Sequence, residues 1–144
     1  MSAEENKAIA RRHIDRLDQR DLAGAAELVA TNYIGHFALH PEPLRGIEAF
    51  KQYMSGFFTA FPDLRFNIED ILAEGDKAVA RWTAHGTHNG ELLGIPPTAR
   101  QVTVTGMWIL RIAGDKIAEQ WGVSDALGML QQLGIIPASG KGGE

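Results

Sequence analysis

The sequence predicts an α+β fold, and three observations carry that reading. Apolar residues recur at helical spacing up to Pro62, the pattern of amphipathic helices facing a common core. From Leu64 onward the period becomes two, as in strands with one buried face. Short turns, Glu74-Gly75-Asp76 and Ala113-Gly114-Asp115, link consecutive strand-like runs. Such links make antiparallel hairpins rather than alternating βαβ units. A sheet with helices packed on one side can curl round a pocket.

The bulk properties are those of an ordinary globular domain. The chain has 144 residues, 44% of them hydrophobic and 22% charged, enough to bury a core in a single domain over residues 1–136. A net charge of −4 leaves no basic footprint for nucleic acid. No apolar run is long enough to span a bilayer, and MSAEENKAIARR lacks the apolar centre of a signal peptide. Cysteine is absent, which removes disulfides and thiolate chemistry and fits a cytoplasmic protein.

Each element has a local reason. Ser2 and Glu5 form an S-x-x-E capping box, so a helix is expected to about Leu17. Ile9, Ile14 and Leu17 form its apolar stripe, with His13 near that side. Asp21 reads as the cap of a short second helix carrying Leu22, Ala25, Ala26 and Val29. Thr31 to Phe37 is a short extended piece, and the Pro-rich HPEPLRG a loop. From Gly46 a third helix carries Ile47, Phe50, Met54, Phe57, Phe58 and Phe61 on one stripe, and Pro62 ends it. The stripe reads as core packing, part of which could line a cavity.

Leu64, Phe66 and Ile68 then alternate with polar residues, and AVARWTAH answers them as the second arm of a hairpin. Strand parity sets Arg81 opposite Trp82. A Gly- and Pro-containing loop, GTHNGELLGIPPTA, leads into QVTVTGMWILRI. The second half of that strand is apolar on both faces and is expected to be covered on both. The tail from residue 137 has the composition of a disordered segment.

The chemistry-bearing stretch is IAEQWGVSDALGMLQQLG, Ile117 to Gly134. Alternation places Ile117, Glu119, Trp121, Val123 and Asp125 on one face and Ala118, Gln120, Gly122 and Ser124 on the other. After Asp125 the period turns helical. Asp125 therefore stands where a strand becomes a helix, on the side of Trp121. A carboxyl group among apolar neighbours holds its proton more tightly and becomes a usable acid or base near neutral pH. Asp is equally a common N-cap, and the roles can coexist. His36 is either a pocket residue or a surface histidine. His85 and His88, three apart on a strand, face opposite ways and do not make a metal site.

Several motifs together resemble the SnoaL-like polyketide cyclases of the nuclear-transport-factor-two-like superfamily. They are NYIGH at Asn32–His36, FPDL after the third helix, EGDKAVARW, GTHNGELLGIPPT at Gly86–Thr98, GDKIAEQW, and D-x-L-x-x-L-Q-Q-L-G from Asp125. The resemblance spans roughly residues 5 to 135. It implies a cone, a strongly curved mixed sheet closed by three N-terminal helices around an apolar cavity, and a homodimer formed through the outer sheet face. It also implies a cofactor- and metal-free enzyme acting on an apolar, carbonyl-bearing small molecule by aldol cyclisation or isomerisation. Asp125 stands at the position of the family's acid–base aspartate. The histidine that these cyclases carry on the preceding strand has no counterpart in Thr105–Arg111. Expected catalytic residues are Asp125 and His36. Expected to contact substrate are Tyr33, Met54, Phe58, Trp82, His88, Gly106, Trp108 and Trp121. The alternatives are a non-catalytic ligand-binding module, an interaction domain whose cone is filled by side chains, and an epoxide-hydrolase-like enzyme. The last needs two carboxylates with an arginine between them, and Arg81 has no acidic neighbour two positions away.

Overall fold

The computed structural model describes residues 2–137; the expected disordered tail, from residue 138 on, lies outside the described residues. Three helices, α1 (Ala3–Asp18), α2 (Leu22–Ala26) and α3 (Ile47–Ala60), precede most of the sheet. The strands are β1 (Val29–Phe37), β2 (Leu44–Arg45), β3 (Arg65–Glu74), β4 (Lys77–Thr87), β5 (Gln101–Ala113) and β6 (Lys116–Ser124). The closing helix is α4 (Ala126–Gln132).

One mixed sheet results, in the order β2-β1-β6-β5-β4-β3. Only β1 and β6 run parallel; the other pairs are antiparallel. The α+β architecture read from the sequence is the one observed, a curved six-stranded sheet with N-terminal helices.

Local chemistry starts the helices where expected. The Ser2 Oγ accepts from the Glu5 N–H while Glu5 Oε1 accepts from the Ser2 N–H, a complete capping box. Asp21 caps α2 through the Gly24 N–H at 2.9 Å. On α1 the predicted stripe is buried, with Ile14, Leu17 and His13 fully so. On α3, Phe50 and Met54 enter the core.

His13 is a polar group inside that core. Its Nδ1–H donates to the Ala25 carbonyl at 3.0 Å, and its ring lies against Phe50. Burial disfavours the charged ring and pulls its pKa down to about 4. An unfolded His titrates near 6.5, so between these values the unfolded chain binds the extra proton. Stability contributed by neutral His13 is thus complete above about pH 6.5 and is lost as pH falls toward 4, by roughly 3 kcal/mol. The drop in urea midpoint between pH 7 and pH 4.5 is expected to be smaller in His13→Gln than in the parent.

Bulges set which way the functional strands face. Ile112 pairs with Ile117, but Arg111 pairs with Glu119, leaving Ala118 as an extra residue in β6. That extra residue flips the alternation. Ile117 therefore faces the core with Gln120, while Glu119, Trp121 and Val123 face outward. The second half of β5 departs from expectation too. Trp108 and Leu110 are buried, but Met107 is 50% and Ile109 37% exposed. The helices cover only the inner face of the sheet, so the apolar outer residues of β5 are left open in the single chain.

Candidate functional site

The concave face of the sheet, α3 and α4 enclose a cavity of about 80 Å³. Its wall is almost wholly apolar and aromatic, as ligand pockets commonly are. Tyr53, Met54 and Phe57 come from α3, Phe37 from the end of β1, and Phe66, Trp82 and Trp108 from three adjacent strands. Gly122 and Ser124 close the β6 side and Met129 of α4 closes the end.

The aromatic wall is tightly interlocked. Trp82 and Trp108 rings lie 5.3 Å apart, and both approach Phe66 at 5.6 and 5.8 Å. Phe37 stacks on Tyr53 at 4.5 Å. Gly122 makes this possible, because a Cβ there would meet Phe37 at 2.7 Å and Trp108 at 2.9 Å. Few polar groups reach the wall. Burial pushes the Tyr53 phenol up to about 12, so it remains a proton donor throughout the working pH range. Among the described residues the buried Trp82 Nε1–H has no acceptor, a deficit that costs free energy when nothing fills it.

Of the residues expected to contact substrate, Met54, Trp82 and Trp108 line the cavity. The others do not, each for a local reason. Tyr33 is wholly buried below it, its hydroxyl donating to Gln120 Oε1 at 2.8 Å. Phe58 sits one helical step from the wall, and its neighbour Phe57 takes that place. Gly106 lies beneath the Trp82 ring and borders a concavity on the outer face. His88 is buried against Phe61, with Nδ1 accepting from the Thr98 N–H at 3.2 Å, and it pins the 88–100 loop. Its partner in the metal question, His85, is exposed.

Trp121 and His36 are on the convex face, placed there by the β6 bulge and by the register that pairs the two residues. Their rings stack at 5.6 Å, and His36 Nε2–H donates to Glu119 at 2.8 Å. That bond, aided by Arg111, holds the Glu119 carboxyl below its usual range. Arg81 is exposed on the same convex face, across from Asp70. No acid–arginine–acid set faces the cavity among the described residues.

Asp125 requires the main correction. It is exposed rather than enclosed, and it is not part of the cavity wall. Its Oδ1 accepts from the Gly128 N–H at 2.9 Å, making it the N-cap of α4. The arrangement repeats that of Asp21 over Gly24, and in both a Cβ on the glycine would collide with the capping carboxylate. Ser124, the residue before it, lines the cavity, whereas Asp125 lines the outer-face concavity with Arg81, Met107 and Val123. The carboxylate therefore stands at the edge where the cavity wall meets the outer face of the sheet. Gln132, on the same helix, fastens α4 to Thr103 by two hydrogen bonds, 2.7 and 2.9 Å long.

The comparisons with known proteins agree with the fold. Residues 7–133 match the family described as SnoaL-like polyketide cyclase. The chain is 30% identical over 129 residues to aklanonic acid methyl ester cyclase DnrD of Streptomyces peucetius, covering 88% of each chain. It is 28% identical over 110 residues to the nogalonic acid methyl ester cyclase of Streptomyces nogalater, covering 75% of this chain and 81% of that one. Among solved structures, AclR from Streptomyces galilaeus superposes with a TM-score of 0.86 at 28% identity, over 97% of this chain and 87% of that one. TsrD from Streptomyces laurentii gives 0.84 at 27%, over 94% and 99%. The chain belongs to the SnoaL-like polyketide cyclase family.

Proposed function

We propose that the protein is a cofactor-independent ring-closing enzyme acting on an apolar, carbonyl-bearing polyketide-like molecule. The observation that carries this reading is the aromatic cavity, with the Asp125 carboxylate one residue beyond the Ser124 that lines it. Family membership supplies the reaction class. Ring closure of the aldol type needs a base to remove a proton beside a carbonyl and donors for the enolate that forms. Asp125 is the base: the cap engages Oδ1, and a substrate lying across Ser124 and Met129 shields the carboxylate from water. Water excluded by the bound substrate then no longer competes for the proton that is transferred. The unpaired Trp82 N–H and the Tyr53 hydroxyl are the donors on offer to substrate oxygens.

A second reading rests on the exposure of Asp125 and its likeness to Asp21. In that reading the same cavity binds ligand without chemistry and Asp125 only caps α4. Steady-state turnover of a multi-ring β-keto ester separates the two, since only the enzyme consumes it.

The outer face carries the assembly proposal. Met107, Ile109 and Val123 are exposed there beside Trp121, an apolar patch of the kind that marks an interface. A second copy packing on this face forms a homodimer. The double variant Met107→Lys with Val123→Glu is expected to halve the mass measured by light scattering, with no loss of helix or strand signal. An unchanged mass would remove this face as the interface.

A further inference from the structure

We propose that the substrate fills two connected chambers, the inner cavity and a groove on the far side of α3, with Leu39, Tyr53 and Phe57 as the partition between them. The inference rests on the ring-closing reading and adds where a multi-ring molecule fits.

The volumes raise the question. Sites for drug-sized ligands run to roughly 300–1,000 Å³, whereas the inner cavity offers about 80 Å³. A single ring can enter; a linear array of three or four cannot. The groove behind α3 offers about 680 Å³. Leu39, Tyr53 and Phe57 line both spaces, so moving these three side chains joins them. The partition is made of side chains rather than backbone. Tyr53 and Phe57 meet edge to face at 5.1 Å, and both are half-buried. Opening the partition takes Tyr53 off its stack on Phe37 and moves both rings to other rotamers, with the helix that bears them in place.

The groove has a flat lining that is part apolar and part polar. Its floor is a second stripe of α3, in which Ala49, Gln52 and Gly56 leave little bulk above the helix. Its wall includes Leu93, which is 66% exposed and has φ +49°. A bulky side chain in the left-handed region is strained, and strain of this kind persists where the surroundings impose it. Here it holds a large apolar side chain out at the groove edge. Glu42, Arg45 and Glu91 supply its charged groups, with His40 beside them in the lining. Two carboxylates against one guanidinium disfavour an anionic end group. The part of the substrate lying in the groove is accordingly a neutral ring system ending in hydroxyl, amide or ester groups.

Gly56 gives a clean test. A Cβ added there meets nothing within 4 Å, and replacing a helix-interior glycine does not weaken the helix. Gly56→Trp therefore fills the groove and leaves the cavity as it is. Calorimetric titrations would use two probes, 1,8-dihydroxyanthraquinone as a three-ring ligand and acetophenone as a one-ring ligand. Gly56→Trp is expected to weaken the three-ring probe by at least about tenfold and leave the one-ring probe within about twofold of the parent. Leu93→Asn, which suits the left-handed backbone, is expected to weaken the three-ring probe while keeping or raising the melting temperature. If both variants bind both probes as the parent does, the two-chamber site is wrong and the cavity reading stands. If the parent binds neither probe, the cavity reading itself fails.

Discussion

Asp125→Asn is expected to lower kcat by about 10²–10⁴-fold, the range for removal of a general base. Thermal stability should stay nearly constant, because Asn caps a helix as well as Asp does and can keep the acceptor for the Gly128 N–H at 2.9 Å. That pairing separates the two roles of the residue. Asp125→Ala would confound them, since it also removes a cap worth about 1 kcal/mol. The equivalent change at Asp21, a residue in the same cap geometry over Gly24, should leave turnover unaffected. Should Asp125→Asn retain full turnover, the carboxylate is a cap and nothing more.

Phe50→Ala is expected to produce the largest loss of stability. Phe50 is 1% exposed and meets His13 on α1 at 5.4 Å and Tyr33 on β1 at 5.7 Å. Truncating a buried Phe costs about 3–5 kcal/mol, because the transfer term and the cavity left behind add. A domain of this size has only about 5–15 kcal/mol in hand, so the melting temperature should fall by roughly 10–20 °C. Function should fall with it. Phe50 holds the helix that carries Tyr53, Met54 and Phe57 against the sheet, so a loosened α3 misplaces three wall residues together. Differential scanning calorimetry checks the first part. Binding of the one-ring probe at low temperature, where the variant is still folded, checks the second.

The sequence was a better guide to elements than to orientation. Ser2-x-x-Glu5, Asp21, Pro62 and the turn at Gly114 are local signals, each satisfied within a few residues, and each marks an observed boundary. The facing of β6 was not legible, because one extra residue at Ala118 reverses the alternation. Bulges are decided by the partner strand, which the local pattern does not contain. Trp121 was thus expected inside and stands outside, beside His36, for which the surface reading is the one observed, while Gly122 and Ser124, on the face not singled out, border the cavity. The choice between Phe57 and Phe58 failed for a related reason. Both belong to the apolar stripe of α3, and which edge of that stripe meets the cavity depends on how the helix rolls on the sheet. Tyr53 was missed although it precedes Met54; a polar-tipped aromatic at the border of an apolar stripe is the one sequence signal that pointed to it. The outward apolar residues of β5 were correctly seen as apolar on both faces, but the single chain covers only one of them.

Most of the candidate chemistry then reduces to whether an exposed carboxylate at the cavity edge acts as a base once a ligand covers it. Proton exchange reads this directly, before any ring is closed. A multi-ring β-keto ester is incubated with the protein in deuterated buffer, and deuterium at the carbon beside the ketone is followed by NMR above the spontaneous rate. The account predicts exchange accelerated by the parent protein and lost in Asp125→Asn, with binding of the ester retained in both. Tight binding with no acceleration by the parent would contradict it and leave a binding module in its place.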